Sequence, residues 1–180
     1  LVYGLLSGHG GVAYHRHVPR KLLTIEQSLT LLAETPRRIA ALTAGLTPAQ
    51  LRTTPDDDGW SANDVLAHLR ACADVRGGCV MTIVAEDNPT LVAVNPRRWI
   101  EQTDYLELEF APSFRSFDQQ RAELLAVLEA LPPEGWSRTA NVRVWGQVLK
   151  RTVLFYAQWV ARHERSHYKQ FERIVNVVSG

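Results

Sequence analysis

The stretch Trp159-Val160-Ala161-Arg162-His163-Glu164-Arg165-Ser166-His167-Tyr168-Lys169-Gln170 decides how the rest of the chain is read. It has the pattern of a long helix, and its two histidines stand four positions apart. On a helix that spacing puts both imidazoles on one face, one turn above the other. Val153, Tyr156, Val160, His163, His167, Phe171 and Ile174 follow one another at steps of three or four, so both histidines fall on the core-facing stripe. Polar rings in an apolar seam cost free energy unless their nitrogens find partners. A metal ion completed by a ligand from another helix satisfies them, and the rest of the chain reads as the scaffold that delivers that ligand.

Working outward, Leu22, Ile25, Leu29, Leu32, Pro36, Ile39 and Thr43 keep a helical rhythm from Pro19 to Gly45, which predicts one helix kinked near Pro36. Thr53 to Gly59 is turn material, and Asp56-Asp57-Asp58 within it reads as a solvated turn. Gly59-Trp60-Ser61-Ala62-Asn63-Asp64-Val65 is a helix start: Ser61 as N-cap, Asp64 closing a capping-box variant, Trp60 and Val65 placed as a hydrophobic staple. Val65, His68, Leu69, Cys72, Val75 and Cys79 then mark one face of a second helix running to about Ala85.

Asp87 to Pro112 is a long connection punctuated by prolines but rich in apolar residues, with a short extended piece expected over Leu106–Phe110. It is expected to cross over one flank of a bundle and roof a site. Phe114, Phe117, Leu124, Leu125, Leu128 and Leu131 define a third helix, ended by Pro132-Pro133. After a weakly alternating segment from Trp136 to Gly146, the last helix is expected from about Leu149 to Val177. The fold class is therefore all-α: a four-helix bundle with a long crossover between helices 2 and 3. Residues 1–18 read as an N-terminal appendage carrying His9, His15 and His17, and residues 19–180 as a single domain.

A formal net charge of +1 gives no electrostatic argument for nucleic-acid or membrane binding. No apolar run approaches the roughly 18 residues that span a bilayer. Cys72 and Cys79 lie seven apart in one predicted helix, too far for a disulfide, so free thiols and a cytoplasmic location are expected.

His68 is the third histidine on a predicted core face. With His163 and His167 it would make an open three-histidine site of the catalytic kind, suited to zinc or nickel. Cys72, one turn after His68, reads first as a small core residue, with a place in the pocket or as a fourth ligand the alternative. His163-Glu164-Arg165-Ser166-His167 also matches the zinc-protease signature H-E-x-x-H. Those enzymes take a third ligand well downstream, and Glu172 in the same helix is badly placed for it. Glu164 is therefore expected to be exposed and paired with a neighbouring arginine, or at most to support a ligand. Tyr156 and Trp159 are candidates for the pocket wall, with ordinary bundle packing favoured for Trp159. Gln170 is placed to hydrogen bond the ring of His167. Arg97-Arg98 reads as a surface charge pair.

Gly59-Trp60-Ser61 leading into Val65-Leu66-Ala67-His68-Leu69, the Trp99-containing crossover, and Ala161-Arg162-His163-Glu164-Arg165-Ser166-His167 together resemble the DinB-like (YfiT-like) superfamily. The resemblance runs from about Leu22 to Val177. It implies a crossed-over bundle, often a homodimer, with a divalent metal (zinc or nickel) held by His68, His163 and His167. It also implies a small-molecule substrate and a low-molecular-weight thiol cosubstrate, since relatives include S-transferases using mycothiol or bacillithiol and a thiol-dependent maleylpyruvate isomerase. Other members would be metal-stabilised stress-response or small-molecule-binding modules without catalysis.

Overall fold

The structure is a computed structural model that describes residues 22–55 and 59–180. Residues 1–21 and the Asp56-Asp57-Asp58 turn, with His9, His15 and His17, lie outside the described residues. Four helical runs form the bundle. Helix α1 (Ile25–Thr43) begins six residues after the expected start at Pro19, behind an N-cap, Thr24, whose hydroxyl accepts from the Gln27 amide. It continues unbroken through Pro36. A short α2 (Pro48–Arg52) follows, opened by a second Thr/Gln capping box at Thr47 and Gln50. Helix α3 (Ala62–Cys72) opens on the Ser61–Asp64 capping box. It passes through a π-helical turn (Ala73–Gly77) into α4 (Gly78–Ala85), so the second run is one wound-out helix where the periodicity predicts a regular one.

The crossover carries a strand, β1 (Thr90–Val92), and a short helix, α5 (Pro96–Ile100). Leu106 and Glu107 lie in a turn and Leu108 in a bend where an extended piece is expected, and Phe110 already begins α6 (Phe110–Glu129). The larger departure lies before the last helix. Thr139–Val144 (β2) and Gln147–Thr152 (β3) form a hairpin, and β1 adds to β2 in parallel, giving a three-stranded sheet in the order β1-β2-β3. Trp145 and Gly146 both have positive φ (43° and 80°), as a two-residue hairpin turn of type I′ requires. Helix α7 (Val153–Val178) consequently starts four residues later than Leu149, after the N-cap Thr152, whose hydroxyl accepts from the Phe155 amide.

Helix α1 packs on α6 and α7, and α3 packs on the same two. The core divides into two apolar clusters along the bundle. One holds Leu32, Val80, Leu124, Leu128, Tyr156 and Val160, and the other Ile39, Leu66, Leu69, Phe117, Phe171 and Ile174. The junction of the clusters is polar: Thr35 in α1, Arg121 in α6, and His163, Glu164 and His167 in α7 each lie between a residue of one cluster and a residue of the other, and His68 of α3 meets His163 there. That polar layer is where the function is to be sought, because buried polar side chains cost stability unless paired or liganded. Among the described residues no helix is long and apolar enough to cross a membrane.

Candidate metal centre

Three imidazoles converge on one point. Nε2 of His68 lies 2.9 Å from Nε2 of His163, which lies 3.2 Å from Nε2 of His167. One ligand atom from each of the three falls within 4.8 Å of the others. The edge of a tetrahedron around a zinc ion bound at about 2.0–2.1 Å is about 3.3–3.4 Å. Two edges of the cluster are therefore near that size, and the donor set fits a divalent cation. Burial holds the rings neutral: His68 is lowered to about 4 and His163 to about 3, by desolvation first and then by the facing histidines, and His167 is also lowered by desolvation. Neutral nitrogens with converging lone pairs repel unless a proton or a cation lies between them. Gln170 sets the tautomer of His167, its Oε1 accepting from Nδ1 at 2.8 Å and leaving Nε2 free to ligate. Nδ1 of His68 is buried without a hydrogen-bond partner.

The local sequence explains the placement. The Ser61 cap fixes where α3 begins, and His68 follows two turns later on the face that meets α7. Trp60, read in the sequence as half of a staple, lies parallel to the His167 ring at 6.2 Å between centroids and edge-on to His68 at 5.2 Å. Trp159 stacks on His163 at 4.5 Å and also packs against the first core cluster, so it lines the pocket as well as packing in the bundle. The three histidines line an open pocket of about 400 Å³, with Trp60, Cys72, Asn95, Arg97 and Trp159 around them. The crossover supplies its outer wall. Arg97, read as part of a surface pair, faces the pocket with its guanidinium over the Trp60 ring.

Cys72 is buried with Sγ 3.5 Å from Nε2 of His68 and 3.4 Å from Nε2 of His163. It is thus at the cluster and not simply in the core. Desolvation pushes its thiol up to about 12 in the absence of a metal. Tyr156 stands elsewhere: buried, it lines a neighbouring cavity behind Trp159 and not the histidine pocket.

Glu164 differs most from expectation. It is buried, with 1% of its surface exposed, and its partner is Arg121 of α6, 43 positions away, also 1% exposed. One position along the helix from His163 turns its side chain toward α6 and away from the pocket. Burial pushes the carboxyl up against the opposing pull of Arg121. No carboxylate lines the histidine pocket among the described residues.

Asp74, in the π-helical turn, was not singled out by the sequence. Its carboxylate accepts from Trp99 Nε1 (2.9 Å), the Tyr105 hydroxyl (2.7 Å) and Gln120 Nε2 (2.5 Å), so it ties the crossover to α6. π-Turns concentrate at functional sites because the extra residue re-aims the side chains around it. No one-residue sequence signal announces this one.

A crossed-over four-helix bundle presenting three histidines to an open pocket is a defined class of protein. Residues 31–171 match the family model of the DinB superfamily, and the chain belongs to that superfamily. It is similar to a Geobacillus kaustophilus protein named "Putative metal-dependent hydrolase", 25% identical over 149 residues that cover 81% of each chain. A Geobacillus thermodenitrificans protein of the same name is 24% identical over 117 residues, 63% of this chain and 64% of that one. Among solved structures, YfiT from Bacillus subtilis, described as a probable metal-dependent hydrolase with an unusual four-helix bundle topology, superimposes with a TM-score of 0.64 at 18% identity. That match covers 86% of this chain and 91% of YfiT. The four-helix bundle protein TT2238 gives a TM-score of 0.59 at 19% identity, covering 83% and 99%. The fold is theirs.

Proposed function

We propose that His68, His163 and His167 hold a divalent ion, zinc or nickel, and that the protein is a metal-dependent enzyme transferring a small thiol to an electrophile. The observation that carries this reading is the convergence of three neutral imidazoles on an open pocket whose lining holds no carboxylate. An ion in that position would lower the pKa of a thiol bound to it and supply a thiolate at neutral pH. The names of the relatives support metal dependence and suggest hydrolysis. Hydrolysis of an amide also needs a group to protonate the departing nitrogen, and the carboxylate nearest in sequence, Glu164, is committed to Arg121. A thiolate that displaces a good leaving group such as halide needs no such proton donor. The sulfur–hydrogen proton is released to solvent, the sulfur–carbon bond forms, and the leaving group departs with its electron pair.

The chain's own residues shape the pocket. Trp60 and Trp159 lie against the faces of the His167 and His163 rings and hold them in place. Arg97 brings a fixed positive charge to the side opposite the bundle, which favours an anionic nucleophile.

Cys72 favours a second reading. A sulfur 3.4–3.5 Å from two ligand nitrogens could complete four-coordination, and a closed site would make this a metal-stabilised binding module without catalysis.

Cobalt substitution separates the two. Added mycothiol or bacillithiol is expected to produce a new thiolate-to-cobalt charge-transfer band in the wild-type protein, counted above any band that vanishes in Cys72→Ala before thiol is added, and to consume chlorodinitrobenzene. No band with any thiol, together with hydrolysis of ester or amide substrates, would replace thiol transfer with a hydrolase. No band and no turnover of either kind would leave the binding module.

A further inference from the structure

A second cavity, of about 180 Å³, lies between the sheet and α7 behind Trp159. Arg76 of the π-helical turn, Val142 of β2, Arg151 of β3, and Phe155, Tyr156 and Trp159 of α7 line it. Two cations in so small and otherwise apolar a space call for an explanation. Neither guanidinium enters an ion pair among the described residues; those pairs are Arg38–Glu34, Arg52–Glu109 and Arg121–Glu164. Nε of Arg76 is buried without any hydrogen-bond partner.

Both arginines are held by rings and not by carboxylates. The Arg76 guanidinium lies 5.0 Å from the centroid of Trp159, and that of Arg151 lies 4.4 Å from the centroid of Phe155. A guanidinium laid on an aromatic face uses its π surface and keeps its in-plane N–H donors, which match the planar fork of a carboxylate. The remaining walls, Val142 and Tyr156 among them, suit an apolar body. Trp159 is common to this cavity and the histidine pocket, so a ligand seated here abuts the centre.

We propose that this cavity is a carboxylate subsite: Arg76 and Arg151 hold the anionic group of an aromatic or aliphatic organic acid, and its reacting end passes Trp159 to the histidines. The role as part of a substrate site rests on the metal-dependent transfer reading above. The carboxylate site itself does not.

The test is calorimetric titration of the full-length, metal-loaded protein with phenylacetate, and with phenylacetamide as its neutral counterpart. Wild type is expected to bind the acid, and the amide at least about tenfold more weakly, the loss expected of one charge-assisted contact. Arg151→Met and Arg76→Met, each checked for native folding by circular dichroism, are expected to weaken the acid by at least about tenfold as well. Asn95→Ala, at a position that lines the histidine pocket and not the second cavity, should retain binding within about twofold. Absence of binding to wild type, equal binding of acid and amide, or unchanged affinity in both arginine variants would overturn the subsite. So would loss confined to Asn95→Ala, which would seat the probe in the histidine pocket. Arginine-dependent binding by a protein that takes up no metal would sink the metal reading and leave the subsite standing. Normal metal loading with arginine-independent binding would do the reverse.

Discussion

Arg121 of α6 and Glu164 of α7 form an ion pair with both side chains almost wholly withdrawn from solvent, one residue along the helix from His163 of the histidine cluster. The pair faces α1, where the Thr35 hydroxyl donates to the Leu31 carbonyl. It fills the polar layer on the side away from the pocket. Removing one partner leaves a buried charge uncompensated, which costs about 3–5 kcal/mol, whereas replacing both with apolar residues of similar size is often neutral. Glu164→Ala is therefore expected to lower stability by about that amount in urea unfolding, and Arg121→Met with Glu164→Leu to recover most of it. The double variant should still bind one metal per chain. Loss of metal-dependent turnover in a double variant that folds and loads normally would instead make Glu164 a catalytic base.

Cys72 decides between an open and a closed centre. Cys72→Ala is expected to keep its metal with affinity within about tenfold of wild type, because three imidazoles suffice for a catalytic site. Competition against a chromogenic chelator measures this. A protein that loses the ion with the sulfur has a four-ligand site.

Gln170 orients His167 through the bond from Nδ1. Gln170→Leu is expected to weaken metal binding by about 10–100-fold, the usual cost of losing a partner behind a ligand histidine. Gln170→Glu, which keeps an acceptor oxygen, should not. Equal affinities for the two variants would show that the ring needs no such support.

Asp74 gathers Trp99, Tyr105 and Gln120 and so fixes the crossover that carries Asn95 and Arg97 to the pocket. Asp74→Leu should cost about 1.5–3 kcal/mol or more, since these are hydrogen bonds to a charged acceptor. Hydrogen exchange should accelerate over residues 96–108 while the amides of α7 stay protected. Uniform acceleration across the bundle would mean that the crossover is not a separate unit.

Much of this was legible because it is local. The four-residue spacing of His163 and His167, the position of His68 on the apolar face of its helix, and the Ser61–Asp64 box all follow from helical geometry read along a few residues. Glu164 was not legible, because its environment depends on Arg121, far away on another helix. The hairpin was hidden by its turn: Trp145 occupies a positive-φ position where Asn or Gly is the usual signal, and Val148 and Leu149 extend the apolar run of α7 backwards. Arg76 and Asp74 take their directions from the π-helical turn, which regular 3.6-residue periodicity does not describe. Arg97 looks like any surface arginine until the crossover is folded over Trp60.

The central claim is that His68, His163 and His167 together hold one metal ion. Its most direct test is elemental analysis of protein purified without an affinity tag or chelator, beside His68→Ala and His163→Ala. About one zinc or nickel per wild-type chain is expected, by the three-ligand stoichiometry of such sites, and loss of it in both variants. Wild type free of metal even after divalent ions are added, with both variants still well folded, would contradict it.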